Sequence, residues 1–249
     1  MTALILAVIA GAVVGLTLGA LGGGGSVLAV PALIYLLGFT PAAATTAGLI
    51  IVVFTSLTAL YAHARAGQVR WKAGAAFAAA GILPAAAAGA AATHLPQAVL
   101  TIAFAATAVL SAISMLRPAG TTRPGSGGVQ PGKAAGAGAG LGTLTGLLGV
   151  GGGFLAVPAL VTVLAFEMEA AVGTSLLVTT ANSLASLATR SGAATSLDWA
   201  SIGPFAGTAM LGAWDGKRMA AKVSGPRLQR IFAVVLLAVA AFMLADAVT

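Results

Sequence analysis

The sequence predicts an all-α, polytopic membrane protein made of two inverted repeats, each a glycine-interrupted helical hairpin followed by three transmembrane helices. Three observations predict it. Only 7% of the 249 residues are charged and 59% are hydrophobic, whereas a soluble domain carries roughly 25% charged residues. A 25-residue stretch near the start recurs in mid-chain in phase with its glycines. Eleven of the twelve Lys and Arg residues fall in loops that one threading places on a single side of a bilayer.

With a mean hydropathy of +1.04, most of this surface has lipid as its solvent. Several apolar runs reach the ~20 residues that a crossing helix needs. The net charge of +7 and pI near 10.9 would suggest nucleic acid in a soluble chain. Here the basic residues sit between apolar runs, with no basic stripe interleaved with aromatics, so nucleic acid is not an expected partner. The simpler reading is topological, since cytoplasmic loops hold Lys and Arg. The chain has no cysteine, which removes disulfides, thiolate chemistry and Cys-based metal sites. The first twenty residues are apolar, but no Lys or Arg precedes them and their pattern recurs in mid-chain. They read as mature structure rather than as a cleaved signal.

The internal repeat aligns residues 15–39, GLTLGALGGGGSVLAVPALIYLLGF, with residues 142–166, GTLTGLLGVGGGFLAVPALVTVLAF. There are 14 identities in 25 positions at an offset of 127, without gaps. After a one-residue slip the offset becomes 128, pairing Thr46 with Thr174 and Trp71 with Trp199. Residues 118–133 are rich in Pro, Gly, Ser and Thr, the composition of a flexible linker. The chain is therefore divided into a first membrane repeat, 1–117, a cytoplasmic linker, 118–133, and a second membrane repeat, 134–249.

Apolar segments lie at about 3–21, 26–38, 42–62, 73–93, 97–116, 134–149, 153–165, 169–189, 199–214 and 229–246. The second and seventh are short, and a 13-residue helix is only ~20 Å long. Each follows a glycine cluster, which weakens a helix and frees backbone amides. Segments one and two, and six and seven, thus form either one broken crossing or a returning hairpin. With hairpins, Arg65, Arg70, Lys72, Arg117, Arg123, Lys133, Lys217, Arg218, Lys222, Arg227 and Arg230 share one side, leaving Arg190 alone opposite. With single crossings the split is seven against five. The positive-inside rule selects hairpins, with both termini outside. Three further crossings per half make the two halves enter the membrane in opposite directions, an architecture recurrent in transporters with a midplane site.

The paired runs GALGGGGSVLAVPAL and GLLGVGGGFLAVPAL, with AVGTSLLVTTANSLASL at 171–187, resemble the glycine-rich motifs of the sulfite exporter TauE/SafE family, also called the 4-toluene sulfonate uptake permease family. The likeness covers nearly the whole chain. It implies transport of a small sulfur-containing anion, such as sulfite, sulfoacetate or another organosulfonate, across a bacterial cytoplasmic (inner) membrane. In one respect the halves differ: the first reads Thr45-Thr46-Ala47 where the second reads Gly173-Thr174-Ser175.

Candidate binding residues follow from chemistry. Gly11, Gly15 and Gly19, four apart, fit close helix packing. The clusters ending in Gly23, Gly24 and Gly25 and in Gly151, Gly152 and Gly153 instead precede short helices. The first amides of those helices lack intrahelical partners, and with the helix dipole they suit an anion. Either substrate contact or a structural turn is open for them. Ser26 and Phe154 complete these termini. Thr45 and Thr46 in the third segment, and Thr174 and Ser175 in its repeat mate, are hydroxyl donors; Thr174 and Ser175 begin their helix, where they could cap it and still point at a ligand. Asn182 sits mid-span and needs amide partners in a dry setting. Arg65 and Arg190 end the long segments, either snorkelling to the interface or forming an anion vestibule. His63 and His94 are too few and too scattered for a metal site, and no catalytic residue, metal or cofactor is expected.

The expected function is a secondary transporter, in the exporting direction, with its site between the repeats. An anion channel is the alternative. An intramembrane hydrolase would need a serine beside His63 or His94, and nothing in the spacing provides one. The expected partners are a small anionic substrate and the lipid bilayer.

Overall fold

The structure is a computed structural model and describes residues 2–22, 26–92, 96–116, 131–148, 153–188 and 198–248. The described residues are helical, without strands. In the first half α1 is Thr2–Leu21, and α2 is Ser26–Pro31, continued by a π-helical stretch Ala32–Leu36. Then come α3, Pro41–Arg65, α4, Trp71–Ala92, and α5, Gln97–Leu116. In the second half α6 is Pro131–Leu148, α7 Gly153–Thr162, α8 Met168–Ala188, α9 Trp199–Ala220 and α10 Gly225–Val248. Each corresponds to one apolar segment of the sequence. Among the described residues five helices, α1, α3, α4, α8 and α10, are long and apolar enough to cross a membrane.

Two boundaries differ from expectation for local reasons. α9 runs past residue 214 to Ala220, carrying Lys217 and Arg218 in its last turn, where cations suit the free carbonyls. α6 starts at Pro131, inside the expected linker, because proline fits the first helical position. The rest of that linker lies outside the described residues. Thr40 caps α3, its side chain accepting from the Ala43 N–H with Pro41 next in line. Asp198 caps α9 through the Ala200 N–H.

The short helices turn back in the same way in both halves. The Phe39 N–H donates to the Leu33 carbonyl at 3.0 Å, and the Phe166 N–H to the Leu160 carbonyl at 3.1 Å. These are matching positions at the offset of 127. Gly38 takes a φ of 70° in the first turn, and Ala165 takes 50° in the second. The first turn thus has the residue that this conformation favours, and the second does not.

The packing between halves is exchanged. Gly11, Gly15 and Gly19 of α1 lie against Phe205, Ala209 and Ala213 of α9. Gly138, Gly142 and Gly146 of α6 lie against Phe77, Gly81 and Ala85 of α4. Every residue of one seam is the repeat mate of a residue in the other. A Cβ on any of the six glycines of α1 and α6 named here would run into partner backbone, so small side chains let the helix axes approach closely. Because both indices rise together, α1 is parallel to α9 and α6 is parallel to α4.

At the centre α3 meets α8. Ser56 bonds Thr180 at 2.8 Å, and His63 lies beside Gly173. One index rises as the other falls, so α3 and α8 are antiparallel. α4 lies along α8 in the same direction, with Gly74 on Thr174 and Gly81 on Asn182. α5 and α10 pair antiparallel, the Gln229 amide donating to the Met115 carbonyl at 2.6 Å. Leu83, Leu110, Leu211 and Val234 are exposed, as an apolar solvent permits.

Candidate functional site

α8 owes its central place to its sequence. Thr179, Asn182, Ser183 and Ser186 are spaced i, i+3, i+4 and i+7, which puts them on one helix face. All four are buried, with Asn182 and Ser183 at 0% exposure. The Thr179 hydroxyl, the Ser183 hydroxyl and both polar atoms of Asn182 have no protein hydrogen-bond partner. An unmatched buried polar group costs about 1–3 kcal/mol, so three neighbouring ones mark a place where something polar is to be met. By contrast, Thr180 on the adjacent face bonds both Ser56 and the Leu176 carbonyl.

The stripe belongs to one half only. The positions matching 179, 182 and 183 are Ile51, Phe54 and Thr55, and the Thr55 hydroxyl is turned back onto the Ile51 carbonyl. The halves that mirror each other in packing therefore differ in chemistry. Asn182 lies where α4, α6 and α8 meet. A Cβ built at Gly81 would come 3.0 Å from its Oδ1, 3.2 Å from its Nδ2 and 3.0 Å from the Gly138 carbonyl oxygen. Gly81 thereby makes the room that the amide occupies.

The first glycine segment approaches α8 as well. Gly22 follows α1 with φ 69°, beside the Ser175 side chain, the Val172 carbonyl and Val157 of α7. That one position brings together α1, α7 and α8. Gly23, Gly24, Gly25, Gly151 and Gly152 lie outside the described residues, as does Arg190. Ser26 and Gly153 are the first residues of α2 and α7, and Phe154 is the second residue of α7.

Some expectations change. Thr174 and Ser175 do not begin their helix, because α8 starts at Met168. Instead the Thr174 hydroxyl oxygen accepts the Arg70 N–H at 3.0 Å, capping the start of α4 from the opposite half. The Ser175 hydroxyl donates to the Val172 carbonyl. Thr46 is buried and Thr45 half-buried, both away from the unpartnered stripe in sequence and on the other long helix. Arg65 is exposed, its guanidinium over the Tyr61 ring at 5.7 Å and donating to the Tyr61 hydroxyl, while Tyr61 stacks on Trp214. That is a surface arrangement of cation and rings.

Sequence reasoning passed over one group. His63 is 3% exposed. Its Nε2 is 3.1 Å from the Gly19 carbonyl oxygen and its Nδ1 is 2.9 Å from the Gln68 Oε1. The Gln68 Nε2 donates to Glu169 at 3.1 Å, and the Lys217 ammonium donates to the Ala62 carbonyl at 2.7 Å. These contacts tie α1, α3, α8 and α9 at the end of the bundle where Arg65, Arg70 and Lys72 also lie. No local pattern announces them, because Gly19 is 44 residues from His63 and Glu169 is 101 residues from Gln68.

Residues 7–243 match the family model described as Sulfite exporter TauE/SafE. Two proteins named "Probable membrane transporter protein", from Xylella fastidiosa strains Temecula1 and 9a5c, are each 31% identical over 250 residues. The match covers 97% of this chain and 95% of each relative. No solved structure matches.

Proposed function

The chain belongs to the sulfite exporter TauE/SafE family and is a multi-pass membrane transporter rather than an enzyme, and from that premise we propose that it exports a small sulfur-containing anion. Sulfite, sulfoacetate and other organosulfonates are the substrate class, and the membrane is the bacterial cytoplasmic one. We read residues 1–117 and 134–249 as two inverted repeats joined by a cytoplasmic linker, 118–133, with both termini outside.

The observation that carries the reading is the buried, unpartnered stripe of Thr179, Asn182 and Ser183. Hydroxyls and an amide can donate to an anion without the cost of burying a full cation. The amides that follow the glycine clusters, Gly23, Gly24, Gly25 and Ser26 in one half and Gly151, Gly152, Gly153 and Phe154 in the other, would add helix-terminal dipoles. Thr45, Thr46, Thr174 and Ser175 stand at the rim of this reading, and Arg190 in its vestibule. Binding by neutral donors is moderate, which suits a carrier that must release its cargo. Alternating access would come from rocking of one half on the other. A charge moving through the membrane field gains ~2.3 kcal/mol per 100 mV, so an inside-negative potential favours export of an anion.

Counterflow in proteoliposomes with labelled sulfite and sulfoacetate tests this. Saturable exchange of either is the expected result. Linear, unsaturable flux would establish the channel instead, and no flux of either anion would remove the substrate class. In the same assay Gly25→Leu and Gly152→Leu should each weaken binding. Unchanged affinity in both would take the backbone amides out of the site.

A further inference from the structure

We propose that His63, Gln68 and Glu169 form a proton-binding site that ties the two halves together at the basic end of the bundle. Three contacts in series fix how many hydrogens the set requires. The Gly19 carbonyl can only accept, so the His63 Nε2 facing it must carry a hydrogen. The second contact joins the His63 Nδ1 to the Gln68 side chain, and the third joins Gln68 to the Glu169 carboxyl. A neutral histidine and an ionised glutamate cannot supply all three. If the Gln68 amide donates to Glu169, its oxygen faces Nδ1, which then needs a second ring hydrogen. If the amide is turned over, it donates to Nδ1 but leaves its oxygen facing a carboxylate, which then needs a hydrogen of its own.

Either orientation is completed by one added proton. The first orientation needs it on the imidazole side and the second on the carboxyl side of the Gln68 amide. One added proton would therefore complete all three contacts, and that proton would belong to the set rather than to one residue. Binding moves one proton from hydronium to the set, releasing water, and changes no other bond. Glu169 is exposed while His63 is buried, so the set reaches from the surface into the bundle.

Other charges around His63 are few. Lys217 from α9, held on the Ala62 carbonyl, opposes the added proton, and Glu169 from α8 favours it. Glu167, Arg65, Arg70 and Lys72 are exposed at the rim, and α1 carries no titratable side chain. The repeat mates of His63, Gln68, Glu169 and Lys217 are Ser191, Ser196, Pro41 and Gly89. None of these titrates, so the second half has no equivalent set. A proton-dependent tie at one end of a bundle of mirrored halves biases which end opens. Its place in a transport cycle rests on the transporter reading above, but the site itself does not.

The linkage has a definite sign. The tied form holds the proton, so it is favoured at low pH and lost as pH rises. For one linked proton the ratio of open to tied forms changes by at most about tenfold per pH unit. The test uses the full chain in nanodiscs with no substrate, so a failure of sulfite transport would leave it intact. Spin labels at Ala66→Cys and Val163→Cys, one in each half, report the separation in a protein without other cysteines. The expected result is a single short distance at pH 5 and a growing longer population toward pH 9. Glu169→Gln supplies its own N–H in place of the bound proton, so it should keep the short distance at every pH. His63→Leu, or Gln68→Leu if the first does not fold, should show the longer population throughout. Distances in the unsubstituted background that ignore pH, or a Glu169→Gln protein that follows pH as that background does, would overturn the proposal.

Discussion

Asn182 of α8 fits against Gly81 of α4 so closely that a single methyl at Gly81 would come 3.0 Å from its side-chain oxygen. Gly81→Ala must shift the amide, together with the equally close Gly138 carbonyl, by a few tenths of an ångström. If Asn182 contacts the substrate, a loss of about 1 kcal/mol, roughly fivefold in affinity, is expected in the counterflow assay. An unchanged apparent affinity in folded Gly81→Ala protein would separate the amide from the substrate.

Replacing the amide itself distinguishes function from structure. Asn182→Leu removes two unmatched polar atoms from the interior, so thermal stability should hold or rise, by about 1–3 kcal/mol at most. Transport should fall by about tenfold or more, and by more than in Ser186→Ala. A destabilised Asn182→Leu protein with normal exchange would make the amide a structural group.

The exchanged seams should be intolerant of bulk. Gly15→Leu and Gly142→Leu each drive a side chain into the facing backbone, at a cost of about 1–3 kcal/mol or more. Gly140→Ala is the control, because nothing lies within 4 Å of a Cβ there. Thermal midpoints in detergent should fall for the first two and hold for the third.

The two return turns offer a paired test of backbone conformation. Ala165 has φ 50° and its mate Gly38 has φ 70°. Ala165→Gly should stabilise by about 1 kcal/mol, and Gly38→Ala should destabilise by a similar amount. The space around a Gly38 Cβ is open, so the second effect is backbone strain alone. Chemical or thermal unfolding that leaves both variants at the parent value would remove strain from the turn.

Topology can be read with single cysteines, since the chain has none of its own. A cysteine at Ser126 should be shielded from an impermeant maleimide in intact cells and react once the membrane is opened. Labelling from outside would reverse the placement of the linker and of the basic end.

What the sequence determined by itself was the set of segments, their lengths and where they break. Those features depend on local physics: an apolar run must match the thickness of a bilayer, and a glycine cluster interrupts a helix wherever it falls. Hence α3 and α8 lie where their apolar runs lie, and the short helices start at Ser26, just after one glycine cluster, and at Gly153, the last glycine of the other. The glycine row 11, 15 and 19 was also legible as a packing face, though not its partner. Tertiary structure alone decided that α1 packs chiefly on α9, a helix of the other half. It alone decided that Asn182 meets Gly81, and that His63 meets Gly19 and, through Gln68, Glu169. In a bundle where nearly every side chain is apolar or small, many pairings satisfy the hydropathy pattern equally well. The choice among them is made by steric fit between backbones and by the few polar atoms that must find each other across the halves, and neither quantity is written in the order of the residues.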